Sequence, residues 1–286
     1  MTLEIERTVV IGTGLIGGSL AAAGRRAGVL RRVVGVGRGR TNLEQALAAG
    51  LVDEIGHDPV AAVAGADLVV LGAPVDSCLD LLVRIAPRPS EAAAGTDVGS
   101  VKAPLCRRAE GLGIGDRFVG GHPMAGGVGT GAALADAELF RGKVAVVTPT
   151  RESARDAVDL VRGLWGATGA EVLEMEPELH DRIVAASSHL PQMVAYCLAA
   201  TVGAEPLADE VVRLAGAGIK DTTRLAASDA DMWAAIAKLN REALADRMDA
   251  FAREWGAWCE AVRGGDEKDL RARIGRANKF KRRLNG

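Results

Sequence analysis

A glycine-rich segment near the start of the chain sharply limits the choice of fold. Gly12, Gly14 and Gly17 follow the apolar run 8–11 with the spacing GxGxxG, and a helical pattern covers residues 16–27. The first glycine permits a tight turn, the second lets the backbone approach a ligand, and the third lets a helix pack close to a strand. The segment therefore predicts a strand, a tight turn and a helix whose N-terminal N–H groups face the turn.

The rest of the first half continues this alternation. Apolar runs without polar alternation predict strands at 32–36, 66–71, 96–98, 118–120 and 143–148, and a helix is predicted at 43–49. Such runs are typical of a parallel sheet covered on both faces. With the glycine turn, they predict an α/β Rossmann-type doubly wound sheet that binds a dinucleotide, NAD or NADP. The candidate cofactor-binding residues are Gly12, Gly14, Leu15, Ile16, Gly17, Arg38, Thr41, Ala73 and Pro74.

The end of the second predicted strand bears on which dinucleotide binds. NAD sites usually have an acidic residue here to hold the ribose 2′-hydroxyl, but the matching position is Gly37. Arg38 follows, with Arg40 and Thr41 close by, and an arginine here can pair with a 2′-phosphate. We therefore favour NADP over NAD. The alternative is that Arg38 and Arg40 are solvated loop charges.

Beyond Pro149 the pattern becomes almost wholly helical. Helices are predicted at 153–167, at 179–201 with an interruption at Pro191, at 232–262 as one or two helices, and at 266–284. The predicted domains are a dinucleotide-binding domain, residues 1–149, and an all-α substrate and dimerisation domain, residues 150–286. Long apolar helices with no sheet to cover need a partner, so we expect a homodimer.

Composition and charge exclude several other classes of protein. The formal net charge is −2 and aromatic residues make up 3% of the chain, so we expect no nucleic-acid partner. The four cysteines are far apart, so neither a metal site nor a disulfide framework is predicted. We found no signal peptide and no apolar run long enough to span a membrane, and we expect a cytoplasmic protein.

Several polar residues outside the glycine turn are candidates for chemistry. Ser100 and His122 each follow a predicted strand, at the sheet edge where ligands bind. A histidine beside a nicotinamide can take a hydroxyl proton, and a serine hydroxyl can orient that histidine or the substrate. Arg224, in a predicted glycine-led loop, is a candidate for carboxylate binding or for a surface salt bridge. His189 starts an apolar helix, where a satisfied buried histidine is the plainer interpretation.

Five segments together carry a resemblance to a known family. GTGLIGGSLA, DVGSVK, GGHPMAG, SSHLP and GAGIKDTTRLA, in this order and spacing, resemble the prephenate/arogenate (cyclohexadienyl) dehydrogenase family over nearly the whole chain. The resemblance implies oxidative decarboxylation of prephenate to 4-hydroxyphenylpyruvate, or of arogenate to tyrosine, by a dimer. It implies that His122 accepts the substrate hydroxyl proton, that Ser100 assists, and that Arg224 binds a substrate carboxylate. His189 would line the substrate and cofactor cleft.

The chain departs from the family pattern at two places. Many members have a second histidine in a SHLPH motif, where this chain has Gln192, a neutral residue placed on the substrate side. Many also have a glutamate shortly after GHPxAG, where this chain has Gly126, Gly127 and Val128. Loss of an acid removes a partner for the arogenate ammonium, so we favour prephenate.

Other functions stay open at this stage. The substrate can also be arogenate or an amino-substituted prephenate. A 3-hydroxyacid dehydrogenase would need a catalytic lysine in the helical domain, and Lys220 is the candidate, but it is predicted to lie in a loop. A dinucleotide-sensing protein without catalysis would have no use for a base such as His122.

Overall fold

The computed structural model describes residues 3–87, 93–126 and 129–285. The strands run in the order Ile5–Ile11 (β1), Leu30–Val36 (β2), Glu54–Gly56 (β3), Leu68–Leu71 (β4), Ala94–Asp97 (β5), Gly120–Pro123 (β6), Val144–Thr148 (β7) and Glu171–Glu174 (β8). The helices are Leu15–Arg26 (α1), Arg40–Ala48 (α2), Pro59–Ala62 (α3), Val75–Ile85 (α4), Ala103–Gly111 (α5), Arg155–Ala167 (α6), Pro177–Val184 (α7), Leu190–Gly203 (α8), Ala208–Arg213 (α9), Ala217–Thr223 (α10), Ala230–Leu239 (α11), Arg241–Gly264 (α12) and Glu267–Asn285 (α13).

The first five strands form a parallel sheet in the order β3-β2-β1-β4-β5. Alternate side chains of its central strands point to opposite faces and enter two separate cores. Val10, Leu68 and Val70 pack with α1 and α6 on one face. Val9 and Val69 pack with α4 and α5 on the other face. The Rossmann-type sheet covered on both faces is therefore confirmed.

A second, three-stranded sheet continues from this one. Its order is β6-β7-β8, with β6 antiparallel to β7 and β8 parallel to β7. A bridge between Gly95 and Phe118 connects it to β5. The predicted strand at 118–120 is thus shifted, and His122 lies within β6, opposite Val146, rather than after a strand. The cause is the antiparallel pairing with β7, which the run of small residues in this segment does not reveal.

Beyond Pro149 the chain is almost wholly helical, as predicted, but it contains one strand, β8, that was not predicted. β8 pairs with β7, and α6 buries Val161, Leu164 and Trp165 in the first core. β8 was not predicted because it is only four residues long, begins and ends with a glutamate, and is largely exposed. Since residues 150–174 pack on the sheet, we now propose a domain boundary between Glu174 and Pro177 in place of the one predicted after residue 149.

The helical part begins with one long continuous stretch. α7 and α8 are joined by a π-helical turn, Ala185–His189, and Pro191 follows this turn as the second residue of α8. Together they span Pro177–Gly203, 27 residues, which by length and composition is apolar enough to cross a membrane. This corrects the expectation that no run has that length. Buried polar side chains on it, described below, are typical of a helix within a protein.

The two parts of the molecule meet near the carboxyl end of β5. α11 contributes Ile236 to the core that α4 covers, with Trp233 packed at its edge. Asn240 separates α11 from α12, so the predicted segment 232–262 forms two helices. This packing brings α7 and the π-helical turn close to the residues that follow β5 and to His122 on β6.

Candidate active site

The glycine turn has the geometry that its spacing predicts. Gly12 has a φ of 104°, and a Cβ there would lie 2.5 Å from the Gly72 carbonyl group. A Cβ on Gly17 would lie 2.1 Å from the Gly12 oxygen. A Cβ on Gly14, in contrast, would have no heavy atom within 4 Å. Gly12 and Gly17 are therefore required by the fold, whereas Gly14 leaves open space in front of the turn.

A cleft of about 440 Å³ lies in front of this turn. Of the predicted cofactor residues, Gly12, Gly14, Arg38, Ala73 and Pro74 line it. Leu15, Ile16 and Gly17 form the first turn of α1. Thr41 is exposed in the first turn of α2 and lies outside the lining.

The residues of the cleft fit a dinucleotide. α1 begins after Gly14 without a side-chain cap and without an acidic residue in its first turn, so its N–H groups are available to an anion. Gly37 at the end of β2 carries no carboxylate, and Arg38 is exposed at the cleft. Arg40, in contrast, pairs with Glu44 at 2.7 Å.

His122 is buried and belongs to a chain of three polar side chains. Its Nδ1 lies 2.8 Å from His180 Nε2, and His180 Nδ1 lies 2.8 Å from Asp181 Oδ1. The Asp181 carboxylate also accepts the backbone N–H groups of Lys102, at 2.8 Å, and Ala103, at 2.9 Å. Within the described chain, His122 Nε2 makes no hydrogen bond. One ring nitrogen is thus held and the other is available to a ligand.

A buried ion pair supports the strand next to His122. Lys102 and Asp97 have fully buried side chains and pair directly. Lys102 Nζ also donates to the Gly121 carbonyl at 2.7 Å, and Asp97 accepts from the N–H groups of Gly99, at 2.8 Å, and Gly121, at 3.2 Å. The pair therefore fixes β6 against the end of β5, just before His122.

His189 is buried with one nitrogen unsatisfied. Asn240 Nδ2 donates to His189 Nδ1 at 3.1 Å and to the Asp181 carbonyl at 2.8 Å. The Nε2 atom must then carry the proton, and it is buried with no partner among the described residues. The ring packs edge-on against Trp233. An N–H group in this state is a ready donor to a ligand oxygen.

Arg224 lies on an ordered helical segment, which corrects the predicted loop. α10 includes Lys220 and runs directly into a 3₁₀ turn, Arg224–Ala227. Gln192, buried on α8, donates through Nε2 to the Leu225 carbonyl at 2.6 Å and anchors this turn. Arg224 is exposed and has no ion-pair partner in the described part of the chain. Lys220 is therefore helical, so its predicted loop position no longer argues against a catalytic role for it.

No described contact joins His122 to two other parts of the predicted site, Ser100 and the segment 126–128. Ser100 is half-buried after β5, but its hydroxyl makes no hydrogen bond with any described residue. Gly126 is described, whereas Gly127 and Val128, where the family acid is missing, lie outside the described residues.

His180 and Asp181 are the site residues that the sequence analysis missed. They stand side by side in α7, two turns before the SSHLP segment. A histidine and an aspartate in sequence, on the same predicted helix as His189, were an available signal. Their link to His122 depends on how α7 packs on β7, which no local pattern encodes.

Burial keeps His122 and His189 neutral. Burial is the main cause that holds the pKa of His122 well below its ordinary value, and His180 and Lys102 lower it further. Burial also lowers the pKa of His189 to about 4, against an opposing effect of Asp181. Near neutral pH both rings are therefore uncharged, and an uncharged imidazole is able to accept a proton.

Comparison with known proteins assigns the chain to a family. The family model for the nucleotide-binding domain of prephenate dehydrogenase matches residues 20–174, and the model for its dimerization domain matches residues 176–276. The chain belongs to the prephenate dehydrogenase family. The boundary between the two models falls at the end of β8, and the packing of β8 on the sheet places the domain boundary at the same point.

Relatives within the prephenate dehydrogenase family include proteins named for two substrates. A prephenate dehydrogenase of Bacillus subtilis is 34% identical over 255 residues, which cover 88% of this chain and 69% of the relative. The A. aeolicus prephenate dehydrogenase, solved with hydroxyphenyl propionate and NAD+, has a TM-score of 0.92 at 31% identity, with both chains fully covered. A Synechocystis arogenate dehydrogenase has a TM-score of 0.84 at 29% identity, covering 97% of this chain and 99% of that one.

Proposed function

We propose that this protein catalyses the NAD(P)-dependent oxidative decarboxylation of prephenate to 4-hydroxyphenylpyruvate, in tyrosine biosynthesis. The observation that carries the proposal is a neutral, buried histidine, His122, with one ring nitrogen held by His180 and the other making no hydrogen bond to a described residue. It lies at the carboxyl side of a sheet whose glycine turn fits a dinucleotide. Membership of the family makes prephenate the first substrate to consider.

The chemistry needs one base and good alignment. A nicotinamide dinucleotide in the cleft supplies the two-electron acceptor. His122 Nε2 accepts the proton of the substrate ring hydroxyl while the carbon that carries this hydroxyl is oxidised. The ring carboxylate leaves as carbon dioxide, and the ring becomes aromatic, which makes the step strongly favourable. The protein therefore needs positioning and proton transfer, and no strong electrophile.

Other side chains hold the substrate in this proposal. Arg224 is exposed at the start of an anchored turn and binds a substrate carboxylate through its fork of N–H donors. His189 offers a buried Nε2–H to a substrate or cofactor oxygen. Ser100, half-buried after β5, donates to the substrate hydroxyl or to His122 once the substrate is bound.

The base is tested by replacing His122 with asparagine. Because general base catalysis is typically worth about 100-fold to 10,000-fold, we expect H122N to lower kcat by that range. Since asparagine keeps a polar group of similar reach, the KM for prephenate should change little. A kcat equal to that of the wild type would remove His122 from the mechanism.

For the cofactor, we propose a preference for NADP. Support comes from Gly37 in place of an acid and from Arg38 at the cleft. R38A should then lower kcat/KM for NADP by about 10-fold and leave that for NAD nearly unchanged, the expected loss of one charge-assisted contact. R40A is the matched control, because Arg40 already pairs with Glu44. A clear preference of the wild type for NAD would refute the proposal.

For the substrate side chain, we propose a keto group rather than an ammonium group. Gln192 is neutral, and its amide nitrogen is already committed to the Leu225 carbonyl. Turnover of arogenate without turnover of prephenate would reverse this choice. Turnover of neither, with the cofactor bound, would favour an amino-substituted prephenate or a dinucleotide-sensing protein.

We also propose a cytoplasmic homodimer. Most of the long apolar stretch Pro177–Gly203 is uncovered in the single chain, and its outer face carries apolar side chains such as Ile183. A second copy of the chain would cover it, in keeping with the dimerization domain model matched here. The proposed substrate and cofactor are both water-soluble, which is why we place the protein in the cytoplasm.

A further inference from the structure

We infer that His180 and Asp181 are positioning residues that set the tautomer of His122 and hold its charge after proton transfer. This inference rests on the proposed role of His122 as the base. It concerns the line Asp181–His180–His122, in which the two contacts between side chains are each 2.8 Å long.

Backbone N–H groups hold the side chain of Asp181 in place. Its two oxygens accept the N–H groups of Lys102 and Ala103, which begin the α5 segment. Both are obligatory donors, so each oxygen of the carboxylate acts as a hydrogen-bond acceptor. The carboxylate is therefore fixed in position by the backbone, and Oδ1 accepts one further hydrogen bond, from His180.

The positions of the protons on the rings of His180 and His122 follow from this acceptor role of Asp181. Because Asp181 only accepts, His180 Nδ1 must carry the proton in that contact, and in the neutral ring His180 Nε2 is then an acceptor. His122 Nδ1, 2.8 Å from this acceptor, must in turn be the protonated nitrogen. The lone pair of His122 therefore lies on Nε2, the nitrogen that makes no hydrogen bond in the described chain. The network thus selects the only tautomer that can act as a base toward a ligand.

Proton transfer from the substrate creates a positive charge on His122 that the site has to balance. When Nε2 accepts the substrate proton, His122 becomes a cation in a buried site that already contains Lys102 and faces the rings of His180 and His189. Asp97 is committed to Lys102, so Asp181 is the carboxylate left to balance the new charge. The proton on His122 Nδ1 can also shift to His180 Nε2, which places the positive charge next to Asp181. Either arrangement stabilises the protonated base.

The inference is tested with H180F, H180Q and a matched control, T168V. Phenylalanine fills the space but accepts no hydrogen bond, whereas glutamine can accept the His122 Nδ1 proton without linking it to Asp181. Thr168 is buried in the dinucleotide-binding domain, and its hydroxyl donates to the Trp165 carbonyl rather than to a residue of the line Asp181–His180–His122. H180F should lower kcat by about 100-fold with KM for both substrates nearly unchanged, and H180Q should recover part of the loss. T168V should keep the wild-type kcat.

A second measurement keeps this test separate from that of the function. Nitrogen-15 NMR of the histidine rings, with His122 identified by the signals lost in H122N, should show a proton on Nδ1 in the wild type and mainly on Nε2 in H180F. Unchanged kcat and unchanged tautomer in H180F would overturn the inference and leave the function intact. The predicted tautomers without turnover of any substrate would overturn the function and leave the inference intact.

Discussion

At the scale of single residues, the site combines two histidines that burial keeps neutral with a carboxylate that accepts hydrogen bonds from the backbone. His122 and His189 both have pKa values below the ordinary value for histidine, chiefly because their rings are buried. An unfolded chain has no such burial, so each ring then titrates near its ordinary pKa of about 6.5. Protonation is therefore linked to unfolding in this protein.

The linkage predicts a loss of stability in acid. Above about pH 6.5 both states carry neutral histidines, and below it only the unfolded chain takes up the proton. The free energy of unfolding should then fall as the pH drops from about 6.5 to about 4, the value for His189, by up to about 1.4 kcal/mol per pH unit and per histidine. Urea unfolding at about pH 7.5 and about pH 5 measures this. H189Q should show a smaller difference between the two, and an equal difference would contradict the account.

The buried pair Lys102–Asp97 makes a second prediction at this scale. K102M would leave the Asp97 carboxylate buried without its cation, so the free energy of unfolding should fall by about 3–5 kcal/mol. The double variant D97N/K102M removes both charges and should recover a large part of this loss. Denaturant unfolding of the three proteins decides the point. A single variant as stable as the wild type would show that the pair does not hold β6.

Single residues of the site could be predicted from the sequence only where the spacing of a motif implies a particular backbone geometry. The spacing of Gly12, Gly14 and Gly17 states a steric requirement, and the distances at these positions meet it. His180 and Asp181 carry no comparable motif, and they reach His122 from 58 and 59 positions further along the chain. Such long-range contacts depend on packing, which a single sequence does not display.

At the scale of elements, two glycines at the turn between β1 and α1 have different roles: Gly17 is required by the fold, and Gly14 leaves space for a ligand. A Cβ at position 17 would collide with the Gly12 carbonyl, whereas a Cβ at position 14 would meet no protein atom within 4 Å. The same substitution at the two positions should therefore affect different properties of the protein.

We predict that G14A folds as the wild type does but binds the dinucleotide at least about 10-fold more weakly, because its methyl group occupies the space in front of the turn. G17A should instead lose stability by about 1–3 kcal/mol, the usual cost of overpacking. Thermal unfolding and cofactor titration by fluorescence give both quantities. Equal cofactor affinity in G14A and the wild type would contradict a binding role for this turn.

Prediction of the elements followed the strength of the local signal. The apolar runs of β1, β2, β4 and β7 were found because buried parallel strands are apolar throughout. β3 and β8 were missed because they are short and partly exposed at sheet edges. The segment around Arg224 was predicted as a loop because of its glycines, yet α10 forms there and packs against α8.

At the scale of the whole molecule, the helical domain of a single chain leaves large apolar side chains exposed to solvent. α12 exposes Met248, Phe251, Trp255 and Val262, whose spacing places them in one stripe along the helix. The rings of Phe251 and Trp255 stack on each other, with their centroids 6.2 Å apart. An exposed stripe of large apolar side chains is typical of an interface, and a second copy of the chain is its expected partner.

Trp255 gives the test of this interface. W255E places a charge in the stripe and should shift the protein from dimer to monomer in sedimentation velocity, since a buried unpaired charge costs several kcal/mol. R253E changes an exposed residue on the opposite face of the same helix and should stay dimeric. A wild-type protein that sediments as a monomer at micromolar concentration would refute the dimer.

The central claim, that the molecule oxidises and decarboxylates prephenate, is tested most directly by steady-state turnover of the purified protein. Prephenate is mixed with NADP or with NAD, and the reduced nicotinamide is followed by its absorbance, with H122N measured in parallel. We predict turnover with prephenate, formation of 4-hydroxyphenylpyruvate in equal amount, and a loss of at least about 100-fold in kcat for H122N. Tight binding of the cofactor without turnover of prephenate would contradict the account.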